Sequence, residues 1–279
     1  MGLRIKRRPP PRINWRAGAP SKGATALYYR NLRKLVNTLE GWTKELFFPV
    51  IKRQADINTA TLSDAVEIPG VEAALGEFNR RLGLLELGER GIEIVEPALY
   101  ENDKFNRRAF ISGLRQIIGV DVSTILNEDF AVRKEIDRRI VENVRLIKSI
   151  PEQYLDRLAR TIQEGMMESD DYRSIRKQIL ELGQSTKKRA RFIARDQMSK
   201  FTNELNRTRQ ENVGITRYIW RTARDSRVSD EHKAHEGKVY EWAKPPSPDG
   251  HPGNRPNCRC YAEPYLQDLR VLTNRQIAA

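Results

Sequence analysis

The sequence predicts a mainly α protein, with an elongated helical body of coiled-coil-like helices and a small C-terminal α+β unit of short strands and loops. Apolar residues recur at steps of three and four through most of the chain, as on one face of a helix. After Gly214 the pattern changes to alternation with a period of two, as in a strand. Because 39% of the 279 residues are hydrophobic, the chain has enough apolar side chains for a core and is not a disordered protein.

The first 22 residues predict an extended basic arm, because their prolines prevent a stable helix. The segment contains no acid, and its cations are Arg4, Lys6, Arg7, Arg8, Arg12, Arg16 and Lys22, within a chain of net charge +13. A cation placed near a phosphate releases a condensed counterion, so such an arm suits nucleic acid or another polyanion. A solvated arm without a partner is the alternative. Ile13 and Trp15 are candidates to anchor the arm on a neighbour.

Residues 23–150 are predicted to form a helical region with two narrow apolar seams. The first seam is Tyr28, Leu32, Leu35, Leu39, Trp42 and Leu46, and the second is Val71, Leu75, Phe78, Leu82 and Leu85. Seams of this kind predict two helices that pair as a hairpin or meet another subunit, which would allow helix-mediated self-association. Two more helices are predicted over 100–119 and 128–147.

Residues 151–214 are predicted to form helices that lead into the last unit. Pro151 should open one helix, a second should run over 169–182, and Ser185 should cap a third that stops at Gly214. This third helix is strongly basic. We predict DNA contacts by its Lys187, Lys188, Arg189 and Arg191, together with Arg4, Lys6, Arg7, Arg8 and Arg12 of the arm. A solvated helix face is the alternative.

Residues 215–265 predict a small strand and loop unit, and residues 266–279 a C-terminal tail. Strands are predicted over 215–222, 238–242 and 259–263. All histidines and cysteines of the chain fall in this unit, at His232, His235, His251, Cys258 and Cys260. Between them lies a loop rich in proline, which has no apolar side chains to hold it. A metal ion or a hydrogen-bonded histidine would supply an anchor.

The clustered histidines and cysteines predict a structural Zn²⁺ site, because imidazole nitrogen and thiolate sulfur are the donors that zinc prefers. The expected ligands are His232, His251, Cys258 and Cys260. A metal-free cluster and a catalytic metal are the two alternatives. A disulfide is not expected, since one between cysteines separated by a single residue would be strained.

An enzyme receives less support from the sequence. There is no Gly-rich phosphate loop and no nucleophile elbow. The asparagines near the cluster follow the last histidine, which is the wrong order for a ββα-metal nuclease. Asp225, Asp230 and Glu231 could bind a hard cation, but salt bridges with the neighbouring arginines are the more ordinary outcome. We therefore predict no catalytic and no cofactor-binding residue, and a metal-dependent nuclease or other nucleic-acid-processing enzyme is the alternative.

No membrane partner is expected, because no apolar run approaches the roughly 18 residues needed to cross a bilayer. The arginine-rich start also lacks the apolar region of a secretory signal. These features predict a protein made in the cytoplasm and used there or inside a particle.

Four separated elements occur in order near the C-terminus. They are Trp220-Arg-Thr-Ala-Arg-Asp-Ser-Arg-Val, His232-x4-Gly237-Lys-Val-Tyr, His251-Pro and Asn257-Cys-Arg-Cys. Together they resemble the signature of the phage Mu F-like minor head protein family, and the similarity extends over about 155–265. Its recurring positions fall here on Trp220, Asp225, Arg227, His232, Gly237, His251, Asn257, Cys258 and Cys260. His235 has no counterpart, and Gly253-Asn-Arg-Pro lengthens one of the spacings.

The resemblance implies a low-copy structural protein that enters the phage head during assembly in the host cytoplasm. It further implies a place inside the head of the virion beside the portal, with portal protein, other head proteins and the packaged genomic double-stranded DNA as partners. A nonviral DNA-binding adaptor, whose seams bind a helical partner, is a third hypothesis. The basic arm and basic helix suit sequence-independent contact with DNA.

Overall fold

The computed structural model describes residues 12–60, 69–126, 130–168 and 170–267. Of the described residues 70% are helical, which confirms the predicted mainly α fold. The helices are α1 (Lys22–Leu46), α2 (Phe48–Ala60), α3 (Pro69–Leu84), α4 (Leu87–Ile118), α5 (Phe130–Met167), α6 (Tyr172–Asn212) and α7 (Asp230–Lys233). The strands are β1 (Arg217–Arg221), β2 (Val239–Glu241) and β3 (Tyr261–Pro264).

The chain divides into two compact units, each assembled from separate stretches of sequence. The terminal unit comprises Met1–Thr25, Ala98–Arg139 and Arg195–Ala279, and the central unit comprises Ala26–Pro97 and Ile140–Ala194. Helices α1, α4, α5 and α6 therefore contribute one part to each unit. These units differ from the consecutive regions expected from the sequence, and the expected boundary between residues 150 and 151 falls inside α5.

The central unit contains the two predicted seams, and they pair. Tyr28, Leu32 and Leu39 on α1 are fully buried. Trp42 on α1 and Phe78 on α3 meet edge to face, with ring centroids 5.5 Å apart. Polar side chains close the same core, since the Tyr28 hydroxyl donates to the Asn143 Oδ1 atom at 2.8 Å. The seams thus serve the fold of this chain, and self-association through them stays a prediction.

Two predicted helix boundaries in the central unit are wrong. Pro151 does not open a helix but lies inside α5, where Ile147 and Ile150 are buried. Gly183 does not end a helix but lies inside α6, where a Cβ atom would come within 2.9 Å of the Glu40 side chain. Ser185 is not a cap, because its hydroxyl donates back to the Leu182 carbonyl oxygen at 2.8 Å. Packing against neighbours therefore overrides the local stop signals.

The described part of the predicted arm, residues 12–21, is not free but packs within the terminal unit. It contains a 3-10 turn at Arg16–Gly18. Trp15 is 4% exposed and lies in a core with Phe110, Leu114 and Ile215. The tryptophan that was expected to anchor the arm on a neighbour therefore anchors it on its own chain.

The three strands form an antiparallel sheet in the order β2-β1-β3. Helix α6 leads into the sheet through Gly214, which has a φ of 80°. The Ile215 amide donates to the Gln210 carbonyl oxygen at 2.8 Å, and the Gly214 amide donates to that of Glu211 at 3.0 Å. This pair of bonds is a Schellman motif, which ends the helix at the predicted glycine.

Candidate functional site

The sheet of the terminal unit carries the histidines and cysteines. On one of its faces Tyr218 and Trp220 of β1 pack with Trp242, Cys258 and Cys260 in a small buried cluster. Both cysteines precede β3, and β3 pairs with β1 through the register Trp220 to Ala262. The strand pairing therefore holds the two sulfur atoms against the aromatic residues of β1.

His232 completes a compact donor group with the two cysteines. Its Nδ1 atom lies 3.6 Å from the Cys258 Sγ atom and 3.5 Å from the Cys260 Sγ atom. The three donor atoms all lie within 4.8 Å of one another, and the three residues are buried. His232 is placed by the short helix α7, where Ser229 accepts a hydrogen bond from the His232 amide.

Asp249 lies behind the imidazole of His232, on the side away from the sulfur atoms. The Asp249 Oδ1 atom is 3.8 Å from the His232 Nε2 atom. The same carboxylate meets the His235 Nε2 atom at 2.8 Å and the Arg255 guanidinium at 2.6 Å. The hydrogen bond with His235 is the main cause that lowers the pKa of Asp249. Asp249 could not be predicted from the sequence, because nothing in its spacing distinguishes it from other loop acids.

The two thiols interact with each other. A hydrogen bond between them lowers the pKa of Cys258 and raises the pKa of Cys260. The Gly253 amide also donates to the Cys258 Sγ atom at 3.4 Å. Both cysteines are free in the structure. The environment therefore favours one thiolate, at the Cys258 sulfur.

The other two histidines have different partners. The His251 Nδ1 atom lies 3.0 Å from the Tyr218 hydroxyl, and its ring lies against Trp242 with centroids 5.0 Å apart. Burial lowers the pKa of His251 to about 4, and the charge of Arg207 lowers it in the same direction. His235 stacks on Trp220 with centroids 4.5 Å apart. The structure thus brings together three of the four predicted zinc ligands and places His251 in an aromatic cluster.

The loop between β2 and β3 is held by polar contacts from α6. The Asn257 amide donates to the Asp196 Oδ1 atom at 2.9 Å, and the Ser199 hydroxyl donates to the Cys258 carbonyl oxygen at 3.0 Å. A Cβ atom at Gly253, which has a φ of 90°, would clash with Asn203. The hydrogen-bonded histidine expected as a loop anchor is His235, through its bond to Asp249.

Two of the three acids considered as cation ligands, Asp225 and Asp230, form salt bridges, as expected. Asp225 pairs with Arg259 and, at 3.1 Å, with Arg227. The hydrogen bonds from Arg259 lower the pKa of Asp225. Asp230 pairs with Lys233 at 2.8 Å. These carboxylates are therefore engaged by cations of the protein.

A shallow pocket of about 240 Å³ opens beside the donor group. His232, Cys258 and Cys260 line it, together with Arg227, Arg255 and Arg259. The arginines give the pocket a positive lining, which suits water or a small anion next to the donor group.

The basic residues of α6 lie partly on the surface of the central unit. Lys188 and Arg191 are exposed, and the Arg191 guanidinium lies over the Tyr29 ring at 4.9 Å. Lys187 pairs with Glu40 at 2.7 Å, and the Arg189 guanidinium donates to the Ser149 hydroxyl at 2.8 Å. Lys187 and Arg189 are thus already bonded to side chains of the protein.

The predicted DNA-binding residues of the arm are described only in part. Arg12 donates to the Thr222 carbonyl oxygen and lies 5.7 Å from the centre of the Tyr261 ring. Its guanidinium therefore contacts the sheet of the terminal unit. The other four, Arg4, Lys6, Arg7 and Arg8, lie outside the described residues. Among the residues that are described, no helix is long and apolar enough to cross a membrane.

The fold and the site define a mainly helical protein that ends in a small sheet with a buried histidine and cysteine group. Residues 155–263 match the family described as phage Mu protein F like protein. This match confirms, for residues 155–263, the resemblance found in the sequence.

One relative is an uncharacterized protein of Haemophilus influenzae strain Rd, 36% identical over 175 residues. The alignment covers 63% of this chain and 39% of the relative, so the chain spans less than half of that protein's length. No solved structure matches the chain.

Proposed function

We propose that this chain is a minor head protein of a tailed bacteriophage, built into the head beside the portal and in contact with the packaged DNA. The observation that carries the proposal is the Mu F-like region over residues 155–263. Other head proteins and the portal would be its protein partners. It would act as a structural component without turnover.

A basic depression on the central unit supports the contact with DNA. It is lined by Tyr29, Arg33, Asn37, Gln184, Lys187, Lys188 and Arg191, and none of these residues is an acid. Arg33, Lys188 and Arg191 are exposed, so their charges are available to an approaching phosphate. Glu40 pairs with Lys187 at 2.7 Å and offsets the charge of that lysine. Cations presented from two helices, α1 and α6, suit sequence-independent contact with a phosphate backbone.

DNA binding should therefore depend on salt and not on sequence. The test compares two duplexes of equal length and different sequence at several salt concentrations, by fluorescence anisotropy. The affinities should match at each concentration and fall together as salt rises. A preference for one duplex that persists at high salt would contradict the proposal.

Replacing two cations of the depression tests its part in binding. The double variant Lys188→Gln, Arg191→Gln should make the plot of log K against log salt shallower by about 1 to 2, since each phosphate contact contributes roughly 0.9. The matched control is Arg173→Gln, Lys177→Gln, which removes the same charge from exposed positions of α6 outside the depression. Equal slopes for the two variants would refute a local contact.

The donor group beside an arginine-lined pocket makes a metal-dependent nuclease the second candidate, because three protein ligands and an open position are typical of catalytic zinc. Incubation of DNA with the protein and a divalent ion, with a chelator control, separates the two functions. No cleavage is expected. Cleavage that the chelator abolishes, and that Cys258→Ser also removes, would overturn the structural role.

A further inference from the structure

We infer that His232, Cys258 and Cys260 bind one Zn²⁺ ion, with Asp249 as the carboxylate that orients the imidazole and with the fourth position open to the arginine-lined pocket. This ligand set replaces His251 of the set expected from the sequence. The zinc site rests on the residues of the terminal unit and does not depend on a role in the phage head.

The distances between the donor atoms fit a zinc ion. Zinc–sulfur bonds of about 2.3 Å and a zinc–nitrogen bond of about 2.1 Å, at a tetrahedral angle, put nitrogen about 3.6 Å from each sulfur. The measured Nδ1 to Sγ distances are 3.6 Å for Cys258 and 3.5 Å for Cys260. The two nitrogen-to-sulfur distances therefore match those of a zinc tetrahedron, and the two sulfur atoms lie within 4.8 Å of each other.

The surroundings of the donor atoms also suit a metal. Zinc-bound imidazoles commonly direct the second ring nitrogen at a carboxylate, which fixes the tautomer. Here the His232 Nε2 atom has no hydrogen-bond partner among the described residues, and the nearby acceptor is the Asp249 Oδ1 atom at 3.8 Å. The Gly253 amide bonded to the Cys258 Sγ atom supports a thiolate ligand.

The site would join two separate elements of the terminal unit. His232 belongs to α7, and the cysteines lie on the approach to β3. Two thiolates neutralise the ion, so its burial leaves no net charge at the centre. The pocket lined by Arg227, Arg255 and Arg259 gives water or a small anion access to the fourth position.

Metal analysis of the full chain tests the inference. The protein is purified with a thiol reductant and without chelator from zinc-supplemented cells, dialysed exhaustively and analysed by inductively coupled plasma mass spectrometry. We expect about one zinc per chain. His232→Ala and Cys258→Ser should lose it. His251→Gln should retain it, and this control separates the proposed ligand set from the one expected from the sequence.

A matched pair of variants tests the role of the Asp249 carboxylate. Asp249→Asn should weaken zinc binding about 10 to 100-fold in a competition titration with a chelating dye. Asp230→Asn, which alters an exposed acid on α7 paired with Lys233, should leave the affinity unchanged. Equal affinities for the two variants would overturn the role of Asp249.

A measurement on the unaltered protein covers the case in which ligand variants fail to fold. Exchange of zinc for Co²⁺ should produce thiolate-to-cobalt charge-transfer absorption with the visible bands of tetrahedral cobalt, and a chelator should remove both. A folded protein, judged by circular dichroism, that contains no zinc and gives no such absorption would refute the site. Zinc loss in His251→Gln with retention in His232→Ala would refute the ligand set.

Discussion

Replacing Trp15 by alanine tests whether residues 12–21 belong to the fold of the terminal unit. The indole is buried and meets Phe110 edge to face, with centroids 5.2 Å apart. Its Nε1 atom donates to the Asn206 Oδ1 atom at 3.0 Å. Gly113 makes room for the ring, because a Cβ atom there would come within 2.7 Å of it.

The expected loss of stability follows from these contacts. Truncation of a buried tryptophan to alanine costs about 3 to 5 kcal/mol, from the lost transfer of apolar surface and the cavity that is left. The Asn206 Oδ1 atom also loses its indole donor, which contributes about 1 kcal/mol or more within that range. Trp15→Phe keeps most of the ring volume and loses the hydrogen bond, so we expect about 1 to 2 kcal/mol.

Urea denaturation followed by far-ultraviolet circular dichroism measures both variants without depending on tryptophan emission. The unfolding free energy should fall in the order unaltered protein, Trp15→Phe, Trp15→Ala. A loss below about 1 kcal/mol for Trp15→Ala would refute the packing of this segment, since a solvated tryptophan contributes little to stability.

Two further predictions concern the sheet and its histidine. Arg221→Ala leaves the Glu263 carboxylate, 2.7 Å from the guanidinium in an almost fully buried pair, without its nearest cation, so urea denaturation should show a loss of about 3 to 5 kcal/mol. Adding Glu263→Gln should restore part of the loss, and no recovery would contradict an electrostatic cause. Burial lowers the pKa of His251 to about 4, below the roughly 6.5 of an unfolded chain, so the unfolded state binds the extra proton and stability falls as pH falls through this window. After discounting for partial exposure we expect about 1 kcal/mol less stability at pH 5 than at pH 7, beyond the change seen in His251→Gln. If the unfolding free energies of the unaltered protein and of His251→Gln changed in parallel with pH, the lowered pKa of His251 would be refuted.

The helical body could be predicted because its apolar seams are periodic. Leu32 and Leu39 lie at seam positions and are fully buried. The continuity of α5 through Pro151 and of α6 through Gly183 could not be predicted, because it depends on tertiary contacts. Gly183 in particular leaves space for Glu40, which comes from a distant part of the sequence. A glycine that permits a close approach and one that ends a helix look the same in a single sequence.

The sequence predicted three of the residues that come together in the donor group, but it did not predict which side chains surround them. The clustering of histidine and cysteine indicated the site, and His232, Cys258 and Cys260 do come together. Sequence order could not show that His251 faces Tyr218 or that Asp249 faces His232. Those choices depend on how the loop folds onto α6 through Asp196 and Ser199, and no spacing rule encodes them.

The proposal that this chain is a structural component of the phage head rests on the Mu F-like region over residues 155–263. The most direct test is to purify the particles that contain the chain and to count its copies per head by quantitative mass spectrometry. We expect a few copies per head that remain with the portal and the DNA in mature particles. Absence of the chain from mature particles would contradict it and would indicate a transient assembly factor or an enzyme.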